Sequence, residues 1–97
     1  MARVSSSPHK TVAFTGAPGT AAHVMYAPDG SWYCVVVRGI TRPLHLVWPH
    51  DGKQEVIGTA MPHGDVALVY LPSSRPMNEL ALMDDGTVVA SAKLAFQ

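Results

Sequence analysis

His9, His23, His45, His50 and His63 are the residues of this 97-residue chain best suited to ligating a metal. Zinc needs three or four nitrogen, sulfur or carboxylate ligands converging on one point. No two of these imidazoles have the short strand or helix spacing that brings a pair together locally, so the fold would have to assemble any site. The grouping it could assemble is His45, His50 and His63 with Asp51 or Asp65. The simpler expectation is that these histidines are solvated or hydrogen-bonded in loops, with no metal and no other cofactor bound.

The nucleophiles lack activating partners. Cys34 is the only cysteine, which excludes an intrachain disulfide and any CxxC or zinc-knuckle arrangement. It falls mid-strand between Tyr33 and Val35, where a thiol is expected as inert core packing, because a reactive thiolate needs a neighbouring cation or a helix N-terminus. There is no Gly-x-Ser-x-Gly turn, and Ser73-Ser74 lies in a proline-flanked loop. The paired carboxylates Asp84-Asp85 precede Gly86, and a turn accounts for them. Thr15-Gly16-Ala17-Pro18-Gly19-Thr20 lacks the lysine and following helix of a phosphate-binding loop and reads as a strand connection. No residue receives a catalytic role, and the chain is expected not to be an enzyme.

Aromatic side chains offer binding chemistry instead. Tyr26, Trp32, Tyr33, Trp48 and Tyr70 can pack inward or form a platform for carbohydrate or peptide, and core packing is the default. Trp48, ahead of Pro49 at a strand end, is expected to be partly exposed. Trp48, His45, His50, Tyr26 and Trp32 are the candidate ligand or partner contacts.

The elements that position these residues follow from turn chemistry. Asp29-Gly30, Asp51-Gly52 and Asp85-Gly86 each separate two strand-like segments, and both residue types tolerate the positive φ of tight hairpins. The first hairpin joins Ala21–Ala27 to Trp32–Arg38, whose second strand is apolar on both faces and therefore central. The second joins Leu44–Trp48 to Gln54–Thr59, with Leu44, Leu46 and Trp48 inward. The third joins Glu79–Met83 to Thr87–Phe96, with Val88, Ala90, Ala92 and Leu94 alternating with Val89, Ser91 and Lys93. Val66–Leu71 is a lone strand, Thr11–Phe14 is a short edge strand, and at most one helical turn fits in Ser73–Glu79. Pro18, Pro28, Pro43, Pro49, Pro62, Pro72 and Pro76 are read at strand ends or in connections. The resulting fold class is all-β, an immunoglobulin-like two-sheet antiparallel β-sandwich of about seven to eight strands. Residues 1–10 are expected as a flexible leader and residues 11–97 as a single sandwich domain.

Composition narrows the partners. Charged residues make up 14% of the chain against about 25% in average soluble domains. The formal charge is zero, which offers no attraction for a phosphate backbone and excludes nucleic acid as a partner. Weak colloidal repulsion favours a homo-oligomer or a position beside a membrane. No apolar run approaches the ~20 residues of a membrane helix, and Met1 to Lys10 lack the apolar centre of a signal peptide. Work outside the cytoplasm would therefore require an exporting segment beyond these residues.

The succession Ala21–Gly30, Trp32–Gly39, Pro43-Leu44-His45-Leu46-Val47-Trp48-Pro49-His50-Asp51-Gly52, Val56-Ile57-Gly58, Gly64-Asp65-Val66-Ala67 and Leu80–Ala90 resembles the extracytoplasmic C-terminal domain of the anti-sigma-K factor family. The resemblance covers about residues 11–95, nearly the whole chain. In that family a strand ending in Leu-Trp, followed by an Asp-Gly or Gly-Gly turn, leads to a glycine-containing strand. Leu44-His45-Leu46-Val47-Trp48 stands here where the family usually has Tyr-x-Leu-Trp. The resemblance implies a non-catalytic sensory or regulatory domain outside the bacterial cytoplasmic membrane. It also implies one membrane helix and a cytoplasmic region that holds a sigma factor, both beyond this chain, and a regulatory protease as a further partner.

Overall fold

The computed structural model describes residues 9–16, 21–72 and 75–96. They form β1 (Lys10–Ala13), β2 (Thr15–Gly16), β3 (Ala21–Tyr26), β4 (Trp32–Arg38), β5 (Leu44–His50), β6 (Lys53–Ala60), β7 (Val66–Pro72), β8 (Glu79–Asp84) and β9 (Thr87–Lys93). Two antiparallel sheets pack face to face, one ordered β1-β3-β4-β7 and the other β2-β9-β8-β5-β6. The architecture is an all-β sandwich, as the alternation of short apolar runs with turn residues requires. The strand count exceeds the expectation because the first edge strand divides. Its Lys10–Ala13 half pairs with β3, and Thr15–Gly16 crosses to β9. Residues 1–8 of the expected leader lie outside the described residues, and Lys10 already belongs to a strand. Of the expected helical turn, Ser73 and Ser74 lie outside the described residues, and residues 75–78 are not helical.

Two of the three Asp-Gly turns are tight hairpins. Asp51 and Gly52 have φ of 52° and 73°, and Asp85 and Gly86 have 52° and 85°, the left-handed pair that a type I′ turn demands. Their flanking pairs are His50 with Lys53 and Asp84 with Thr87. Asp29-Gly30 differs. Pro28 has no N–H for the hydrogen-bonded pair that would flank a two-residue turn, so the reversal is longer: Gly30 N–H donates to the Ala27 carbonyl at 2.9 Å, and Ala27 N–H donates to the Trp32 carbonyl at 3.1 Å. The Ser31 amide closes the turn onto the Asp29 carboxylate at 3.0 Å. Hydrogen bonds from the Ser31 side chain and then its backbone hold that carboxyl below the usual carboxylate range.

Other departures from simple alternation have local causes. β9 carries a bulge, since Leu82 pairs with Ala90 but Met83 pairs with Val88, which leaves Val89 as the extra residue. The bulge turns Val88 out to 46% exposure and lets Val89 pack against the core. The ladder of β9 stops at Lys93, short of the expected Phe96, although the Leu94 amide still donates to the Asn78 carbonyl at 2.8 Å. Pro49 lies within β5, not at its end. β8 pairs with β5 only over His45 to Val47, so beyond that point the missing N–H of Pro49 faces no ladder. Thr15-Gly16, read as connection, is strand β2. A Cβ on Gly16 would stand 2.1 Å from the Val89 carbonyl oxygen, so only glycine permits this approach of β2 to β9.

The core sits between the sheets. Val24, Tyr26, Tyr33, Val35, Val37 and Val69 from one sheet meet Leu44, Leu46, Leu80, Leu82, Ala90 and Ala92 from the other. β4 is central, as its two-faced apolar sequence requires. Its alternation sends Tyr33, Val35 and Val37 inward, so Cys34 lies half-buried on the outer face, not in the core. There it stands in one cross-strand row with Thr11, Met25 and Tyr70.

Candidate functional site

The strand arithmetic of the β5–β6 hairpin gathers several polar and aromatic side chains on one part of the surface. A two-residue Asp51-Gly52 turn opposes His50 to Lys53 and Trp48 to Glu55, so these side chains share the core-facing side of the sheet, beyond Val47 where the pairing of β5 with β8 ends. The Trp48 and His50 rings stack with centroids 3.7 Å apart. His50 Nε2 lies 3.0 Å from Glu55 Oε1, and Nδ1 lies 3.4 Å from Asp51 Oδ2. Carboxylates only accept, so a neutral imidazole serves one of these contacts and an imidazolium serves both. From the connection between β7 and β8, the Arg75 guanidinium reaches over the Trp48 ring at 4.4 Å from its centroid and approaches Glu55 Oε2 at 3.8 Å. The cluster borders a groove of about 270 Å³ on the seam between β6 and β7, lined by Glu55, Val56, Ile57, Leu71, Arg75 and Met77 among others.

This arrangement is chemically a recognition surface. A half-buried indole offers apolar area, the guanidinium and imidazole donate, and Glu55 accepts. Of the candidate contacts, Trp48 and His50 come together here. His45 is exposed one hairpin length away, with its Nδ1 3.5 Å from the Thr59 hydroxyl. Trp32 lies half-buried at the start of β4, on the outer face of the other sheet opposite Pro72. Tyr26 is 1% exposed and leaves no ring face for a ligand. Among the described residues, no three His, Cys, Asp or Glu side chains converge on a point, so His45, His50 and His63 are not brought together with Asp51 or Asp65.

Glu55 and Arg75 were not among the residues singled out from the sequence. Glu55 was within reach, because a two-residue turn at Asp51-Gly52 fixes Trp48 opposite position 55 by counting. Arg75 carried no such signal, since it arrives through a connection whose path is set by tertiary packing.

A second cavity, of about 170 Å³, lies where Gly39, Ile40, Thr41 and Leu44 approach Asp84 and Val89, bridged by the exposed Arg42–Asp84 ion pair. Comparison with protein-family models, with curated proteins and with solved structures finds no match for this chain.

Proposed function

We propose that this sandwich is the non-catalytic extracytoplasmic regulatory domain of a membrane-bound anti-sigma factor of the anti-sigma-K kind. The observation that carries the reading is the match between the resembling segments and the load they bear. Those segments make up β3, β4 and β5, the middle of β6, the start of β7 and most of the β8–β9 hairpin, which supply most of the core. In such a regulator the domain's folded state is the signal-bearing quantity. While it is folded, its connections are tied down and closed to a protease; when it opens, the chain is cut and the sigma factor is released. Fully buried Leu46, Leu80 and Leu82 set the free energy of that opening.

The test uses the natural gene in its own cells with a reporter driven by the cognate sigma factor. Leu82→Ala, which removes a fully buried side chain, should raise reporter output and shorten the lifetime of the protein. Val88→Ala, at an exposed position, should do neither. If disruption of the gene and Leu82→Ala both leave every sigma-dependent reporter unchanged, the reading fails.

One observation favours a second reading, a carbohydrate- or peptide-binding module. Glu55 and Arg75 line the groove on the seam between β6 and β7 with Ile57, Leu71 and Met77, and they carry the stacked Trp48–His50 pair at its border. Screening short peptides and oligosaccharides by indole fluorescence tests it, and Arg75→Ala should abolish any shift seen.

A further inference from the structure

The four sheet edges are not equally protected. β1 and β2 are only four and two residues long. β6 carries Lys53 and Glu55, and its pairing is broken by a bulge at Ile57. Short strands, charges and bulges are the devices that prevent strand addition. β7, Val-Ala-Leu-Val-Tyr-Leu-Pro, is seven residues long, uncharged and in unbroken register with β4. It also holds the two most exposed large apolar side chains of the described residues, Leu68 and Tyr70, each at 63%.

The backbone of β7 defines what this edge can accept. The Trp32 carbonyl accepts from Ala27, so the N–H and C=O groups of Trp32, Cys34, Val36 and Arg38 face β3, and those of Tyr33, Val35 and Val37 face β7. Their partners Leu71, Val69 and Ala67 therefore point toward β4, in line with the bond from Gly39 N–H to the Asp65 carbonyl at 3.1 Å. Val66, Leu68 and Tyr70 point their backbone groups away from the sheet. Those of Val66 are already used, since His63 N–H donates to its carbonyl at 2.8 Å and its own N–H returns to His63. At the other end Pro72 has no N–H to give. Among the described residues, the open stretch is thus the backbone of Leu68 and Tyr70, bounded by Val66 and Pro72.

From this we infer that β7 pairs with β7 of a second copy of this chain, antiparallel, about a two-fold axis at Val69. That register sets Leu68 opposite Tyr70 of the second copy, so the outward-facing groups of one residue meet those of the other, and by symmetry the same bonds form again on the far side of the axis. It also sets Val66, whose groups are occupied, opposite Pro72, which lacks a donor. The closed ends match and the open middle matches. No charge lies on β7, so self-pairing brings no like charges together. On the outer face the row Cys34–Tyr70 runs on into Leu68 and Val36 of the second copy, which covers the exposed rings and methyls. Edge pairing buries less than the ~1,200 Å² of a standard interface, so the dimer is reversible and concentration-dependent.

The experiment is sedimentation equilibrium on the purified chain at loading concentrations from about 10 μM to about 1 mM, with circular dichroism confirming each variant is folded. The wild type should show a monomer–dimer equilibrium. Leu68→Lys and Tyr70→Glu, both at exposed positions, should each weaken it by at least about tenfold, whereas Val56→Lys, exposed on the β6 edge, should not. An equimolar mixture of Leu68→Lys with Tyr70→Glu should regain dimer, because the register places the new lysine opposite the new carboxylate while native Tyr70 meets native Leu68. A wild type that stays monomeric throughout overturns the inference, including one that binds an extended apolar peptide at β7 instead. So does a dimer that survives both substitutions, or a mixture that associates no better than its components.

Discussion

Tyr26 and Tyr33 face each other across the β3–β4 ladder, and each phenol oxygen ties down a different returning segment of chain. Tyr26 donates to the Ala95 carbonyl at 3.0 Å and accepts from the Ala95 amide at 3.0 Å. Tyr33 donates to the Arg75 carbonyl at 2.8 Å and accepts from the Met77 amide at 2.9 Å. Their rings stack at 6.2 Å, and Phe96 packs against both. One pair of neighbouring side chains therefore anchors both the β7–β8 connection and the segment that follows β9, and through Arg75 it positions the Trp48 cluster.

Tyr33→Phe keeps the ring but leaves the Met77 amide without its acceptor. The expected loss is about 1–3 kcal/mol, or a fall in Tm of roughly 4–24 °C for a domain of this size. Tyr26→Phe should cost less, because its bonds end near the exposed Ala95. Thermal unfolding of the two single variants and the double variant measures any coupling through the shared ring stack.

Alkaline pH should weaken the fold through Tyr33. Burial raises its phenol above the ordinary 10.0, so the folded state holds its proton at pH values where the unfolded state has released it. The contribution is whole below the ordinary value and is lost as pH rises through the folded one. Tm followed from about pH 9 upward should therefore fall more steeply for wild type than for Tyr33→Phe.

Gly86→Ala should cost about 1–2 kcal/mol for conformational reasons alone, since its φ is 85° and no atom lies within 4 Å of an added Cβ. Asp85→Asn, which keeps a residue tolerant of positive φ, should change stability by less than about 0.5 kcal/mol. Urea unfolding of both separates backbone strain from lost contacts.

Gly16→Val should detach β2, because its Cβ would overlap the Val89 carbonyl oxygen and the Cα and Cβ of Ala90. Amide exchange should show loss of protection at the β2–β9 pairing, with β4 still protected. Loss of protection throughout the sheet would show that β2 is needed for the whole fold.

Arg75→Ala should lower stability by only about 0.5–1 kcal/mol, the value of an exposed cation–π contact. It should still shift Trp48 emission, since the guanidinium lies over the indole. An unchanged emission spectrum would mean that the two groups do not meet in solution.

Much of this protein was legible from local chemistry. Asp51-Gly52 and Asp85-Gly86 specify tight reversals because positive φ is tolerated by those residue types, and the alternation on either side names Leu46 as inward and sets Leu80 and Leu82 on one shared face. From Asp51-Gly52 even the Trp48–Glu55 opposition follows by counting. What the tertiary structure decided is whatever depends on neighbours distant in sequence. The outward turn of Cys34, the bulge that exposes Val88 and the arrival of Arg75 over Trp48 are of this kind. So is the position of β7 at an open edge. A strand's own residues state which side chains share a face, but which face is covered, and which backbone flank is left unpaired, is fixed only when the other strands have taken their places.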